Sequence, residues 1–186
     1  MAVVGIGVDP NLSLWEGKGL HINGGIVVNE YCETGLPDVY AAGDVVVFPD
    51  QIFNKLRHVE HWENAFEQGK HVARVMTGKR EPYLFLPYFF SDIFDLSYEY
   101  FGDQEKADYS VTRGDPGKND FSHWWFERNQ LVAAFIMSTR PREEADKARE
   151  WITNKSGVDK ERIGDRRINL QSLNQNSEKY SNEPTP

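Results

Sequence analysis

Val39-Tyr40-Ala41-Ala42-Gly43-Asp44-Val45 reads as a buried strand that stops at a Gly-Asp pair. A glycine at that place lets a ligand come close to the backbone, because it has no Cβ and accepts either sign of φ. The aspartate that follows is an acceptor-only carboxylate, suited to the hydroxyls of a sugar or polyol. A charged hydrogen bond of this kind contributes roughly 1.5–3 kcal/mol. The plain alternative is a strand end whose Asp opens a turn, and Gly-Asp by itself does not separate the two.

Downstream, Val59-Glu60-His61-Trp62-Glu63-Asn64-Ala65 opens the strongest helix signal in the chain. Trp62, Ala65, Phe66, Gly69, Val72, Ala73 and Met76 recur at helical spacing and predict one continuous apolar stripe. Glu60 and Glu63 fall in the predicted first turn and Lys70, His71 and Arg74 come late, as the helix dipole favours. Gly78 stands where a glycine stop belongs. The N-terminus of such a helix offers unpaired N–H groups to an anion or an electron-rich carbonyl. An ordinary amphipathic surface helix carries the same pattern. His58 and His61 with Glu60 lack a third ligand at a known spacing, so no metal is expected there.

Two further stretches invite a cofactor reading. Pro87-Tyr88-Phe89-Phe90-Ser91-Asp92 groups flat aromatic faces that can wall a ring system or simply build a core. Gly5-Ile6-Gly7 begins like a dinucleotide fingerprint, but Pro10 takes the place of the third glycine and no helix opens there. It is not a phosphate loop.

Around these segments the chain falls into parts. Val3 to Val8 predicts a short buried strand closed by Asp9-Pro10-Asn11, and Leu12 to Lys18 a helical turn ending near Gly19. Gly24-Gly25 precedes a strand at Ile26-Val27-Val28, and Leu36-Pro37-Asp38 punctuates before the opening stretch. Proline and aromatic residues from Pro82 to Pro87 mark a domain boundary, giving domains at 1–84 and 85–163. Strands are expected at Tyr109–Arg113, Phe121–Glu127 and Leu131–Met137, joined by turns at Gly114-Asp115-Pro116-Gly117 and Arg128-Asn129-Gln130 as an antiparallel meander. A helix from about Pro141 to Asn154 follows, with Ala145, Ala148 and Ile152 on one face. Residues 164–186 are polar and without period, and read as a tail.

Bulk properties narrow the function. A net charge of −8 and a pI near 5.1, with basic residues interleaved among acids, argue against nucleic acid as a partner. An acidic surface can attract a basic redox partner. The single cysteine, Cys32, permits no intrachain disulfide or CxxC pair and fits a reducing, cytoplasmic compartment; it reads as structural. No apolar run approaches the ~20 residues of a membrane span, so no membrane partner is expected. Met1-Ala2 leads straight into an apolar strand, an opening expected of a truncated chain rather than of a natural domain start.

Taken in order, Val4-Gly5-Ile6-Gly7-Val8-Asp9-Pro10-Asn11, Gly24-Gly25-Ile26-Val27-Val28, Pro37 to Asp44, Glu60-His61-Trp62 with Asn64-Ala65 and Gly69, and Pro87 to Asp92 resemble one family. They resemble the FAD-dependent class I pyridine-nucleotide oxidoreductases, in the branch of ferredoxin and rubredoxin reductases, monodehydroascorbate reductase and apoptosis-inducing factor. The likeness runs over about residues 3 to 153, and Tyr40 to Asp44 is its most specific piece.

The resemblance implies an α/β remnant of the NADH- and FAD-binding Rossmann-like domains, followed by a small α+β C-terminal domain with an antiparallel sheet and a helix. It implies FAD and NAD(P)H as cofactors, hydride transfer between them, and a small electron-transfer protein such as a ferredoxin or rubredoxin as acceptor. By position, Asp44 would hold the ribityl chain of FAD, with Gly43 allowing close approach and Val45 adding a backbone contact. Glu60, His61 and Trp62 would meet the flavin's pyrimidine edge and the docking nicotinamide. Phe90 would stand where many relatives place a Trp against the flavin ring. No catalytic side chain is assigned. The alternative from the same family is a non-catalytic module for homodimerisation or docking.

The visible parts do not suffice for tight flavin binding. Nanomolar to micromolar affinity needs about 8–12 kcal/mol. One charged hydrogen bond and a helix terminus worth about 1 kcal/mol fall well short. The phosphate-binding glycine loop of the family is not in this chain. The chain alone is therefore expected to hold FAD weakly or not at all, and to need the missing N-terminal half of the enzyme.

Overall fold

The computed structural model describes residues 1–137 and 143–174. The chain divides into two compact units, residues 1–85 and 86–186.

The first unit is built on a small three-stranded sheet. Strand β1 (Ile26–Val27) runs parallel to β2 (Val46–Asp50), and β3 (Lys55–His58) pairs antiparallel with β2. Asp50 accepts the N–H groups of Ile52 and Phe53 at 2.8 and 3.1 Å and so bends the chain between β2 and β3. The core gathers Ile26, Val28, Cys32, Val46, Phe48, Val59 and Tyr83.

Helix α1 (Trp62–Met76) follows, with His61 as its N-cap. It ends at Gly78, whose φ of +94° suits glycine and whose N–H returns to the carbonyl of Val75 at 2.9 Å. Its buried face only partly overlaps the expected apolar stripe, sharing Ala65 and Val72 with it. Asn64, Gln68, His71 and Val75 point inward, whereas Trp62, Phe66 and Met76 are 74, 49 and 64% exposed. Spacing found the helix, and hydrogen bonding chose the face. Asn64 Nδ2 donates to the carbonyl of Val59 at 3.3 Å, and the Tyr83 hydroxyl donates to Asn64 Oδ1 at 3.1 Å.

Two expected strands of this unit do not form. Val3, Val4, Ile6 and Val8 are exposed, and no strand among the described residues pairs with them. An apolar run becomes a strand only where its backbone groups find a ladder. Residues 39–42 are half-buried and make one isolated bridge, Glu33 with Tyr40. Gly43, at φ +86°, breaks the extended run, and the ladder starts only at Val46.

The second unit is a five-stranded antiparallel sheet in the order β4-β5-β8-β7-β6. The three expected strands appear as β6 (Tyr109–Asp115), β7 (Asp120–Glu127) and β8 (Gln130–Met137). A hairpin of β4 (Tyr88–Ile93) and β5 (Leu96–Gly102) adds to them through β8.

Helix α2 (Glu143–Thr153) packs Ala145, Ala148, Trp151 and Ile152 against this sheet, with the Trp151 ring 6.0 Å from Trp124. Its expected start at Pro141 lies outside the described residues. Residues 164–174 are not a tail. They carry a 3-10 turn at Leu170–Leu173 with both leucines buried. The buried guanidinium of Arg113 holds this segment, donating to the carbonyls of Ile163, Asp165 and Ile168 and to Glu144 Oε1 at 2.7–3.1 Å. A polar sequence folds there because a charged donor on β6 satisfies its carbonyls. Residues 175–186 lie outside the described residues.

Candidate functional site

The expected site residues of the first unit cluster around one turn. Gly43-Asp44-Val45 is not a strand end but the turn that leads into β2, closed by the Val46 N–H on the carbonyl of Gly43 at 3.0 Å. Gly43 is buried against α1: a Cβ built on it meets the Cβ of Ala65 at 3.5 Å. Its N–H donates to Oε1 of the fully buried Gln68 at 2.7 Å. Asp44, one residue on, is exposed, and its carboxylate meets no hydrogen-bonding partner among the described residues. Val45 is half-buried and packs on the core, while its carbonyl accepts the N–H of Ile26 at 2.7 Å.

Glu60, His61 and Trp62 lie at the mouth of α1. Glu60 precedes the helix, His61 caps it without a side-chain hydrogen bond to its N–H groups, and Trp62 is its first residue. The first N–H groups of a helix have no partner within it, so this mouth keeps donors and partial positive charge. His58 ties the mouth to the turn: its Nε2 bonds the carbonyl oxygen of Asp44 and lies 3.8 Å from Glu60 Oε1. Trp62 stacks on Phe66 at 5.2 Å with 10° between the rings, and Lys70 Nζ lies 4.1 Å from the Phe66 centroid. Phe90 belongs to the second unit, on β4, and is 58% exposed.

Sequence reading left Gln68 aside and weighed His58 only as a metal ligand. Asn64, Gln68 and His71 recur at i, i+4 and i+7, the same helical period as the apolar stripe, and that polar period was the available signal. The surroundings of these groups are dry. Burial lowers the His71 pKa, with Arg74 adding to it, and burial raises that of Tyr83. Burial also pushes the Cys32 thiol up to about 12, which leaves it protonated and unreactive at neutral pH. Among the described residues no group of three or more His, Cys, Asp or Glu is placed to hold a metal ion.

The chain thus carries a turn lodged against a helix and, further along the sequence, an antiparallel sheet with one helix packed on it. Residues 1–69 match the family described as pyridine nucleotide-disulphide oxidoreductase, and residues 88–174 match the one described as reductase C-terminal. Residues 1–69 thus carry part of a pyridine nucleotide-disulphide oxidoreductase domain, and residues 88–174 a reductase C-terminal domain.

Among its relatives, monodehydroascorbate reductase of Pisum sativum is 35% identical over 150 residues, covering 77% of this chain and 35% of that protein. Putidaredoxin reductase of Pseudomonas putida is 29% identical over 173 residues, covering 93% of this chain and 40% of that protein. The solved covalent putidaredoxin reductase–putidaredoxin complex superposes with a TM-score of 0.83 at 30% identity, over 90% of this chain and 40% of that one. The chain thus spans 35–40% of the length of these relatives.

Proposed function

We propose that this chain is the carboxy-terminal part of a flavoprotein oxidoreductase that moves hydride from NAD(P)H to FAD and passes the electrons to a small electron-transfer protein. The observation that carries the reading is the Gly43–Asp44 turn lodged against α1 beside its open N-terminus. These residues fit a flavin. The turn leaves a free carboxylate facing solvent, and Gly43 keeps side-chain bulk away from the backbone beside it.

In this reading Asp44 accepts hydrogen bonds from the polyol hydroxyls of the cofactor, and Val45 adds a backbone contact. The N–H groups at the mouth of α1, next to Glu60 and His61, stabilise the electron-rich edge of the ring, and Trp62 offers an apolar face beside it. When bound, the flavin supplies the hydride acceptor and the electron relay. The protein's work is to hold and orient it.

The relative solved in a covalent complex with putidaredoxin supports a small redox protein as acceptor. A homodimer remains part of the proposal, tested by size-exclusion with and without the second unit. A cytoplasmic location rests on the lone buried thiol, Cys32.

Flavin retention tests the reading. The 186-residue chain alone is expected to emerge from desalting colourless after mixing with FAD. Supplied in trans with the amino-terminal part of a relative that the alignment leaves uncovered, it is expected to retain FAD. Asp44→Asn should then weaken retention roughly 10- to 100-fold, the 1.5–3 kcal/mol of a charged hydrogen bond. Equal affinity in wild type and variant would remove the basis of the proposal.

A further inference from the structure

Two side chains from different elements hold the backbone of the Gly43–Asp44 turn. Gln68, in the second turn of α1, accepts the N–H of Gly43 at 2.7 Å. His58, the last residue of β3, bonds through Nε2 to the carbonyl oxygen of Asp44. A carbonyl only accepts, so Nε2 carries the proton in this contact. One side chain therefore takes the turn's donor and the other supplies its acceptor with a proton. The carboxylate of Asp44 is aimed by bonds that it does not itself make.

Packing alone does not account for Gln68. The residue is fully buried, and its amide nitrogen Nε2 has no hydrogen-bond partner among the described residues. A buried unpaired donor is unfavourable, and a leucine or methionine of similar size would avoid that cost. What glutamine adds is the acceptor for Gly43. His58 is partly exposed and fills no core position, so its contact with Asp44 is likewise the distinctive thing it contributes.

We propose that His58 and Gln68 are positioning residues, a two-sided clamp that sets where the Asp44 carboxylate lies relative to the mouth of α1. Neither touches reacting atoms. The clamp itself stands on the contacts above; its consequence for cofactor binding rests on the flavin reading.

Isotope-labelled 186-residue chain tests the clamp without any cofactor. Long-range proton–nitrogen correlation should show neutral His58 as the Nε2–H tautomer. Gln68→Leu should speed hydrogen exchange of the Gly43 amide about tenfold or more while the amides of the β2–β3 ladder keep their rates. His58→Leu should shift the Asp44–Val45 peptide resonances. His58→Gln, whose amide nitrogen falls close to the place of Nε2, should largely restore them. The Nδ1–H tautomer, or unchanged Gly43 exchange in folded Gln68→Leu, overturns the clamp. Should Gln68→Leu fail to fold, the two His58 variants decide the matter alone, because that side chain reaches solvent.

The consequence is read in the trans assembly with FAD. His58→Leu should weaken flavin retention about 3- to 10-fold and His58→Gln should recover most of it. Intact clamp signatures with unchanged retention in His58→Leu would overturn the link between clamp and cofactor. Absence of flavin in the wild-type assembly would instead defeat the flavin reading and leave the clamp standing.

Discussion

At the scale of single residues, the fold turns on places where a side chain is excluded. Gly102 ends β5 at φ +85°, and a Cβ built on it would lie 2.0 Å from the carbonyl oxygen of Val132 and 3.0 Å from the Cα of Ala133. Both are backbone atoms of β8, the central partner of β5, so neither can swing aside without loosening the sheet. Gly102→Ala is therefore expected to cost more than about 4 kcal/mol, combining a strained φ with a clash that only strand separation relieves. Urea denaturation followed by the fluorescence of Trp124 and Trp151 measures this. A midpoint near that of the wild type would show that β5 and β8 can part there at little cost. Gly43 works differently: its neighbour Ala65 leaves van der Waals room, and its conformation is the constraint.

At the scale of elements, α1 shows how far pattern reaches. Its length and its Gly78 stop follow from spacing and punctuation in the sequence, but its orientation does not, and Glu60, expected in its first turn, precedes it. A stripe of Trp62, Phe66 and Met76 promises a core, yet this unit's core closes on Asn64, Gln68 and His71 because each has polar work to do or Tyr83 to meet. Periodicity reports that a face exists, and two faces of the same period compete. Trp62→Ser and Phe66→Ser are therefore expected to cost the isolated chain less than about 1.5 kcal/mol together, the value of their mutual stacking. Val75→Ala, on the buried face, should cost roughly 1–3 kcal/mol. The reverse ranking in thermal denaturation would place the apolar stripe inside after all. The same gap between period and packing hid the β4–β5 hairpin. Its two-residue turn is Phe94-Asp95, with Phe94 fully exposed at φ +56°, where an Asn-Gly pair would have announced it. By contrast β6 and β7 alternate, β8 is a continuous apolar run, and glycine, proline and asparagine separate the three, so they stood out.

At the scale of the whole molecule, the two units keep separate cores, and the second is finished by residues that composition marks as disposable. Residues 164–174 are mostly polar, with two Arg and two Asn, and nothing in their period promises structure. Their placement is imposed from a distance of some fifty positions by Arg113, a cation buried on β6 beside Glu144. Losing a charge-assisted hydrogen bond to a buried cation costs about 1.5–3 kcal/mol, and two of the four acceptors of Arg113 lie in this segment. A chain ending at Ile163 loses the carbonyls of Asp165 and Ile168 and the buried Leu170 and Leu173, while Arg113 stays inside. Two buried leucines add about 1.5–3 kcal/mol each. Compared with a chain ending at Asn174, the shorter one should lose at least about 5 kcal/mol, enough to unfold the second unit near physiological temperature. Arg113→Met in the shorter chain should lose further stability, because it leaves the buried Glu144 carboxylate without its cation. Calorimetry on the three chains separates these contributions. Equal transitions for the chains ending at Ile163 and Asn174 would mean that the segment merely rests on the sheet, and that Arg113 finds its partners in water.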